Sequence, residues 1–158
     1  MGPSDYWALP ILVRSSLATE WSNSLGMSEQ FDQIRDLCEV ISAERGWEAL
    51  PNGVRVSLPG GRHQLVSIEC FEDRDREFVR FVSRIGGSDV LDEDRLMAAL
   101  RVNAGLACGH LAIMQDVLVL VCIFAVDEVS REQLQNSIGE IAQTADSYEK
   151  ALFAADAY

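Results

Sequence analysis

The sequence has few of the side chains that catalytic and metal sites require. It contains only two histidines, His63 and His110, and neither has a recognisable partner for a catalytic triad. The segment Cys108-Gly109-His110 places a thiol close to an imidazole, but no further metal ligand follows at a suitable spacing. We therefore predict a protein that is not an enzyme and has no catalytic residues, no bound metal and no cofactor.

The glycines and carboxylates also lack the spacing of ligand-binding loops. The pairs Gly60-Gly61 and Gly86-Gly87 have neither the lysine of a P-loop nor the three glycines of a dinucleotide-binding turn. The cluster Asp92-Glu93-Asp94 lacks the alternating oxygen ligands of a divalent-cation loop, and it is well placed to begin a helix. These segments predict turns and a helix start.

Positive charge is scarce. The chain has 13 lysines and arginines against 25 aspartates and glutamates, which gives a formal net charge of −12. Such a surface repels phosphate backbones and anionic lipid, so we expect neither nucleic acid nor a membrane as a partner. It attracts cationic segments, so a protein client or peptide segment of basic character would fit, although high charge can also serve solubility alone.

Long hydrophobic runs are absent as well. The longest, Val117–Val126, contains ten residues, whereas a membrane-spanning helix needs about 20. The four cysteines fall in no paired spacing, and Cys70 and Cys122 lie in apolar runs where a small buried thiol packs well. A reducing compartment fits this pattern, and we predict a cytoplasmic protein.

Residues 1–27 form a separate N-terminal extension. Its apolar segment Tyr6–Val13 looks like part of a signal peptide, but it lacks a basic leader and a proline interrupts it. A loose polar linker follows and ends at Met27, directly before a helix start. Two interpretations stay open: the extension is disordered or precedes a natural start at Met27, or it is an ordered arm that packs Trp7 or Trp21 on the domain.

Residues 28–153 are predicted to form one domain, with residues 154–158 as a C-terminal tail. Helical and alternating apolar patterns follow one another in the order α-β-β-β-α-β-β-α. We predict an α+β fold in which helices one and three pack on one face of a five-stranded antiparallel sheet. The predicted elements are centred on Phe31–Ile41, Val54–Leu58, His63–Phe71, Glu77–Ile85, Leu96–Leu100, His110–Met114, Val117–Val126 and Leu134–Leu152.

The third predicted strand has two different faces. Because successive side chains point to opposite sides of a strand, one face is apolar and the other mixes apolar side chains with arginines. The apolar face carries Val79, Phe81 and Ile85, and the mixed face carries Phe78, Arg80, Val82 and Arg84. The mixed face is therefore a candidate surface for contact with another molecule.

Four segments carry a resemblance to a known family: Arg62–Val66, Phe78–Gly86, Leu100–Ala112 and Ile141–Glu149. Together with the order of elements, they resemble the type III secretion chaperone-like family, which includes the Tir chaperone type and the bacterial YbjN type. The resemblance covers about residues 28–152. None of the segments is a reaction signature, and each looks like packing and turn chemistry.

The resemblance implies a binding role. Members that act as secretion chaperones are dimers that hold an extended segment of a secreted protein. In this chain the middle helix would supply the dimer contact, and apolar positions on one exposed sheet face would receive a client. The implied dimer contacts are Leu96, Met97 and Leu100, and the implied client-binding residues are Val66, Ile68, Phe78, Arg80 and Val82.

Three functional hypotheses follow. The first is a non-catalytic, homodimeric protein-binding domain that holds an extended segment of a client. The second is a stand-alone regulatory or structural dimer of the YbjN type, without a secretion client. The third, a small-ligand-binding protein or an enzyme, has the least support because no convergent group of polar residues is recognisable.

Overall fold

The computed structural model describes residues 29–153, which form three α-helices and six β-strands. The helices are α1 (Glu29–Arg45), α2 (Glu93–Val102) and α3 (Arg131–Phe153). The strands are β1 (Glu48–Leu50), β2 (Gly53–Leu58), β3 (Arg62–Asp73), β4 (Arg76–Gly87), β5 (His110–Met114) and β6 (Val117–Ala125). The predicted extension, 1–27, and tail, 154–158, lie outside the described residues.

The strands form one antiparallel sheet in the spatial order β1-β2-β3-β4-β6-β5. The α+β class is confirmed, but the prediction of five strands is wrong because the sequence pattern does not reveal β1. That strand has three residues, which pair with Gly53–Arg55, and three residues are too few to show alternation. The observed order is α-β-β-β-β-α-β-β-α.

Two hairpins are closed by two-residue turns in the left-handed backbone region. Arg74 and Asp75 connect β3 to β4 with φ angles of 50° and 61°, and Gln115 and Asp116 connect β5 to β6 with 49° and 61°. Positive φ at both central residues defines a type I′ turn, whose twist matches that of the flanking strands. The charged segment after Phe71 therefore continues two long strands up to their turn.

The hydrophobic core lies between the sheet and two of the helices. Phe81 of β4 and Leu120 of β6 are fully buried, and they belong to one cluster with Ile41 of α1 and Ile138 of α3. We call the sheet face that joins this cluster the helix side. It carries Val54, Val56, Val66, Val79, Phe81, Leu118, Leu120 and Cys122.

The predicted capping box at the start of α3 is confirmed. The Ser130 backbone N–H donates to Gln133 Oε1 at 2.9 Å, and the Gln133 N–H donates to Ser130 Oγ at 3.2 Å. These two bonds satisfy backbone groups that a helix start otherwise leaves without partners. The first turn of the longest helix is thereby fixed next to the end of β6.

Polar side chains connect β3 to α3. Asp146, which is buried on α3, lies 2.6 Å from Arg62 Nη2 and 2.7 Å from Lys150 Nζ. Gln64 donates to Glu149 Oε2 at 2.7 Å. Burial alone raises the pKa of Asp146, but hydrogen bonds from Lys150 and Arg62 outweigh it and hold that pKa below its usual value. The Asp146 carboxylate is therefore charged and paired inside the fold.

A glycine beside an irregularity in β4 lets the end of α3 approach the sheet closely. The pairing of β4 with β6 shifts between Arg84 and Gly86. A Cβ atom at Gly86 would overlap the ring of Phe153, the last described residue of α3. Because glycine has no side chain, the Phe153 ring occupies that space.

Candidate functional site

The candidate site is the sheet face that points away from the helix side, which we call the outer face. The predicted mixed face of strand three is confirmed as part of it. Phe78, Arg80 and Val82 alternate along β4 with the core residues Val79 and Phe81. Strand pairing then identifies the rest of the face, which includes Leu65, Ser67, Glu69, Phe71, Arg84, Val119, Val121 and Ile123.

Two phenylalanines and two arginines form a cluster at one end of the outer face. The rings of Phe71 and Phe78, directly opposite each other on β3 and β4, stack with centroids 5.5 Å apart and planes inclined by 19°. The Arg80 guanidinium lies 5.4 Å from the centre of the Phe71 ring, and that of Arg76 lies 5.6 Å from the Phe78 ring. The cluster offers flat apolar surfaces with cations at their faces.

The cations of this cluster are held by carboxylates. Arg80 donates to Glu69 on the neighbouring strand, with an Nε–Oε2 distance of 2.7 Å. Arg76 reaches Glu128 Oε1 at 2.9 Å and Asp127 Oδ1 at 3.3 Å in the segment after β6. These pairs fix the guanidinium planes beside the rings, as expected for cross-strand pairing rather than for an open anion site.

Exposed apolar side chains extend the outer face on either side of β4. Leu65 on β3 is 46% exposed, and Ile123 on β6 is 42% exposed. Between them, Val82 lies opposite both Ser67 and Val121, so it is at the centre of the face. The face thus combines aromatic, aliphatic and cationic contacts along one surface.

The predicted client-binding set does not lie on one face, and that part of the prediction is wrong. Val66 and Ile68 pair with Ser83 and Phe81, which places both on the helix side. Val66 is fully buried there, and Ile68 packs against the core. The error is one of register, because a shift by a single residue moves every side chain of a strand to the opposite face.

Sequence reasoning missed Leu65, Phe71 and Ile123. Leu65 and Phe71 are both odd-numbered residues of β3, so alternation alone predicts that they share a face. Ile123 could not be assigned from sequence, because β6 is apolar on both of its faces. Only its pairing with Arg80 identifies the side on which it lies.

The predicted dimer contacts lie on α2 and differ in exposure. Met97 is 43% exposed and Leu100 is 59% exposed, whereas Leu96 is half-buried and packs against the core. Ile113, on the edge strand β5 that α2 contacts, is also 53% exposed. This end of the molecule therefore carries several large apolar side chains in water.

Within residues 29–153, no three histidine, cysteine, aspartate or glutamate side chains are placed to hold a metal ion. His63 on β3 and His110 on β5 are separated by two intervening strands. Over the same range, none of the helices has the length and hydrophobicity that crossing a bilayer would demand.

No protein-family model and no curated protein matches this sequence. Solved structures do match. A chain of the HopA1–SchA chaperone–effector complex is 11% identical, with a TM-score of 0.54, over 78% of this chain and 99% of its own length. A chain of the ExsC–ExsE complex is 15% identical, with a TM-score of 0.59, over 80% of this chain and 97% of its own.

A third similar chain comes from the complex of the Yersinia pestis type III secretion chaperone SycH with a stable fragment of YscM2. It is 16% identical, with a TM-score of 0.50, over 73% of this chain and 98% of its own length. Nearly the whole of each matched chain is thus covered. The protein has a type III secretion chaperone-like fold, as the sequence resemblance predicts.

Proposed function

We propose that this protein is a non-catalytic, cytoplasmic chaperone that holds an extended segment of a client protein on its outer face. The observation that carries the proposal is the cluster of Phe71, Phe78 and Arg80, which lies on a face outside the hydrophobic core. The solved structures of the same fold support it, because each comes from a complex with a second protein.

The chemistry of the outer face suits an extended peptide. Alternate side chains of such a peptide lie about 7 Å apart on one side, so successive anchors can reach the aromatic cluster, Val82 and Ile123. Each apolar anchor removed from water contributes about 1.5–3 kcal/mol before the ordering of the peptide is subtracted. Of the client-binding residues predicted from the sequence, Phe78, Arg80 and Val82 remain in this proposal.

The net charge of −12 bears on the choice of client. A basic client segment would be drawn toward the protein by long-range attraction, and its cationic side chains could pair with the excess of carboxylates. We include in the proposal that the client segment is basic. Faster association at low ionic strength is the expected signature.

We also propose that the protein is a homodimer whose contact includes Leu96, Met97 and Leu100 of α2. A contiguous patch of exposed, large apolar side chains marks a contact surface more often than a single exposed apolar side chain does. Exposed Ile113 beside α2 extends this candidate contact onto the sheet edge. The contact lies apart from the aromatic cluster, so a dimer would keep both outer faces accessible.

Affinity purification of the full chain from its native cytoplasm tests client binding. We compare the unaltered chain with Phe78→Asp, which places a charge in the aromatic cluster, and with Val40→Asp as the control. Val40 is 48% exposed on α1, so its substitution introduces the same charge away from the outer face.

Recovery of a partner with the unaltered chain and with Val40→Asp, but not with Phe78→Asp, would support the proposal. Equal recovery with both variants would contradict it. Recovery of a dimer that never carries a partner would favour the second hypothesis, a regulatory or structural dimer of the YbjN type.

A further inference from the structure

We propose that the segment Tyr6–Val13 of this chain docks on the outer face and occupies it until a client displaces it. This inference rests on the proposed function of that face. The segment is Tyr-Trp-Ala-Leu-Pro-Ile-Leu-Val, with two aromatic side chains, four large aliphatic side chains and one proline in eight residues. It matches the chemistry of the outer face, where paired phenylalanines adjoin exposed aliphatic side chains.

The exposed apolar side chains of the outer face are what a docked segment would cover. Leu65 on β3 is 46% exposed, and Ile123 on β6 is 42% exposed. Apolar side chains placed over them would remove this surface from water, which is favourable.

The chain is long enough to make this contact within one molecule. Residues 14–28 separate the segment from α1, and fifteen residues can extend to about 50 Å. The start of α1, from which the linker leaves, lies on the helix side, because Phe31 and Ile34 belong to the core cluster. Six strands span about 24 Å, so the linker can pass around the sheet edge.

Because the segment is uncharged, a basic client can compete with it for the outer face. Tyr6–Val13 contains no charged residue, so docking leaves the Glu69–Arg80 pair intact and gains nothing from the net charge of −12. A basic client gains that attraction in addition to its apolar contacts. The tethered segment would therefore shield the face when no client is present and give way to a segment that combines apolar and basic residues.

Methyl NMR spectra of the full chain test the docking. We compare the unaltered chain with the double variant Leu9→Asp/Ile11→Asp and with the linker control Leu17→Asp. We expect the double variant alone to shift the methyl signals of Val82 and Ile123. Val40 and Ile113 are exposed to a similar degree elsewhere on the molecule, and their signals should stay in place.

A synthetic peptide of residues 5–14 provides a second measurement. If docking leaves the face free in about one tenth of the molecules, the peptide should bind the double variant about tenfold more tightly than the unaltered chain. Unchanged spectra, shifts at Val40 and Ile113 instead, or equal peptide affinities would overturn the inference. Shifts that disappear on dilution would overturn it too, because they would show a segment from a second copy.

These results separate the two proposals. If partner recovery depends on Phe78 while the methyl spectra of the double variant are unchanged, only the docking of Tyr6–Val13 is wrong. If Phe78→Asp leaves partner recovery unaltered, the proposed function is wrong, whatever the spectra show.

Discussion

The sulfur atoms of Cys108 and Cys122 lie 3.5 Å apart, where the segment before β5 meets the middle of β6. Both are free thiols, as are Cys38 and Cys70. Burial raises the pKa of Cys122 to about 12, and the hydrogen bond to Cys108 acts in the same direction. Burial likewise raises the pKa of Cys38 to about 12 and that of Cys70 to about 11.

Cys38, Cys70 and Cys122 should react slowly in the folded protein. The thiolate is the reactive form, and at pH 8 a pKa of 11 or more leaves about one thiol in a thousand ionised, or fewer. We expect Cys38, Cys70 and Cys122 to react with a chromogenic disulfide reagent at least about 100-fold more slowly in native protein than in guanidinium chloride. Rapid labelling of all four cysteines without denaturant would contradict this.

The assignment of the two faces of β4 predicts opposite results for neighbouring phenylalanines. Phe81→Ala removes a fully buried ring and should lower the free energy of unfolding by about 3–5 kcal/mol. Phe78→Ala removes a half-buried ring of the outer face and should lower it by less than about 1.5 kcal/mol. Urea titrations followed by circular dichroism measure both, and equal losses would mean that the faces are assigned incorrectly.

The ion pairs of the partly buried Asp146 carboxylate predict a pH dependence of stability. Its folded pKa lies below the unfolded value, so its contribution is fully present above about pH 4 and is lost as the pH falls through the folded pKa. Asp146→Asn removes the carboxylate that Arg62 and Lys150 share, and because both cations are partly exposed it should cost about 1.5 kcal/mol at pH 7.

The difference in free energy of unfolding between the unaltered chain and Asp146→Asn should therefore narrow as the pH falls below about 4 and the Asp146 carboxyl takes up its proton. Asp32→Asn is the control, because Asp32 forms an exposed pair with Arg35 at 2.8 Å. It should change stability by less than about 1 kcal/mol both at pH 7 and below about pH 4. A constant difference for Asp146→Asn across this range would contradict the assignment.

The two left-handed turns are sites for stabilisation. Glycine adopts positive φ at no steric cost, and Asp-Gly or Asn-Gly is preferred in type I′ turns. Asp75→Gly and Asp116→Gly should each raise the free energy of unfolding by about 0.5–1 kcal/mol, measured by thermal unfolding. Asn52→Gly, in the turn between β1 and β2 where φ is not positive, should instead lower it.

The exposed apolar residues of α2 predict an association equilibrium. Leu100 is 59% exposed, and an aspartate there should remove a favourable contact between copies without disturbing the core. We expect light scattering to give the mass of a dimer for the unaltered chain and for Val40→Asp. For Leu100→Asp we expect the monomer mass of 17.5 kDa. A monomer in all three cases would exclude the proposed dimer.

Sequence patterns predicted most of the architecture because strong periodicity and capping residues determine it locally. The capping box of Ser130 and Gln133 and the alternation around Phe81 both correspond to observed elements. The short strand β1 was not predicted because three residues are too few to show an alternating apolar and polar pattern. Its existence depends on pairing with β2, which is information that local sequence does not contain.

The candidate surface was predictable only in part, for a related reason. Alternation within β4 assigns Phe78, Arg80 and Val82 to one face, but it says nothing about which residues of β3 lie beside them. Leu65 and Val66 are both apolar neighbours in sequence, and only the pairing of Val66 with Ser83 shows that Val66 belongs to the core. A face that spans several strands requires their register as well as their patterns.

The contact between Gly86 and Phe153 couples two residues that are far apart in the chain. Any side chain at position 86 would collide with the aromatic ring at position 153, and a smaller residue at 153 would leave a void above the glycine. A side chain at position 86 therefore requires the Phe153 ring to move or to be replaced by a smaller one. Related sequences that share this arrangement should change the two positions as a pair, and a variant library randomised at both should recover compatible combinations.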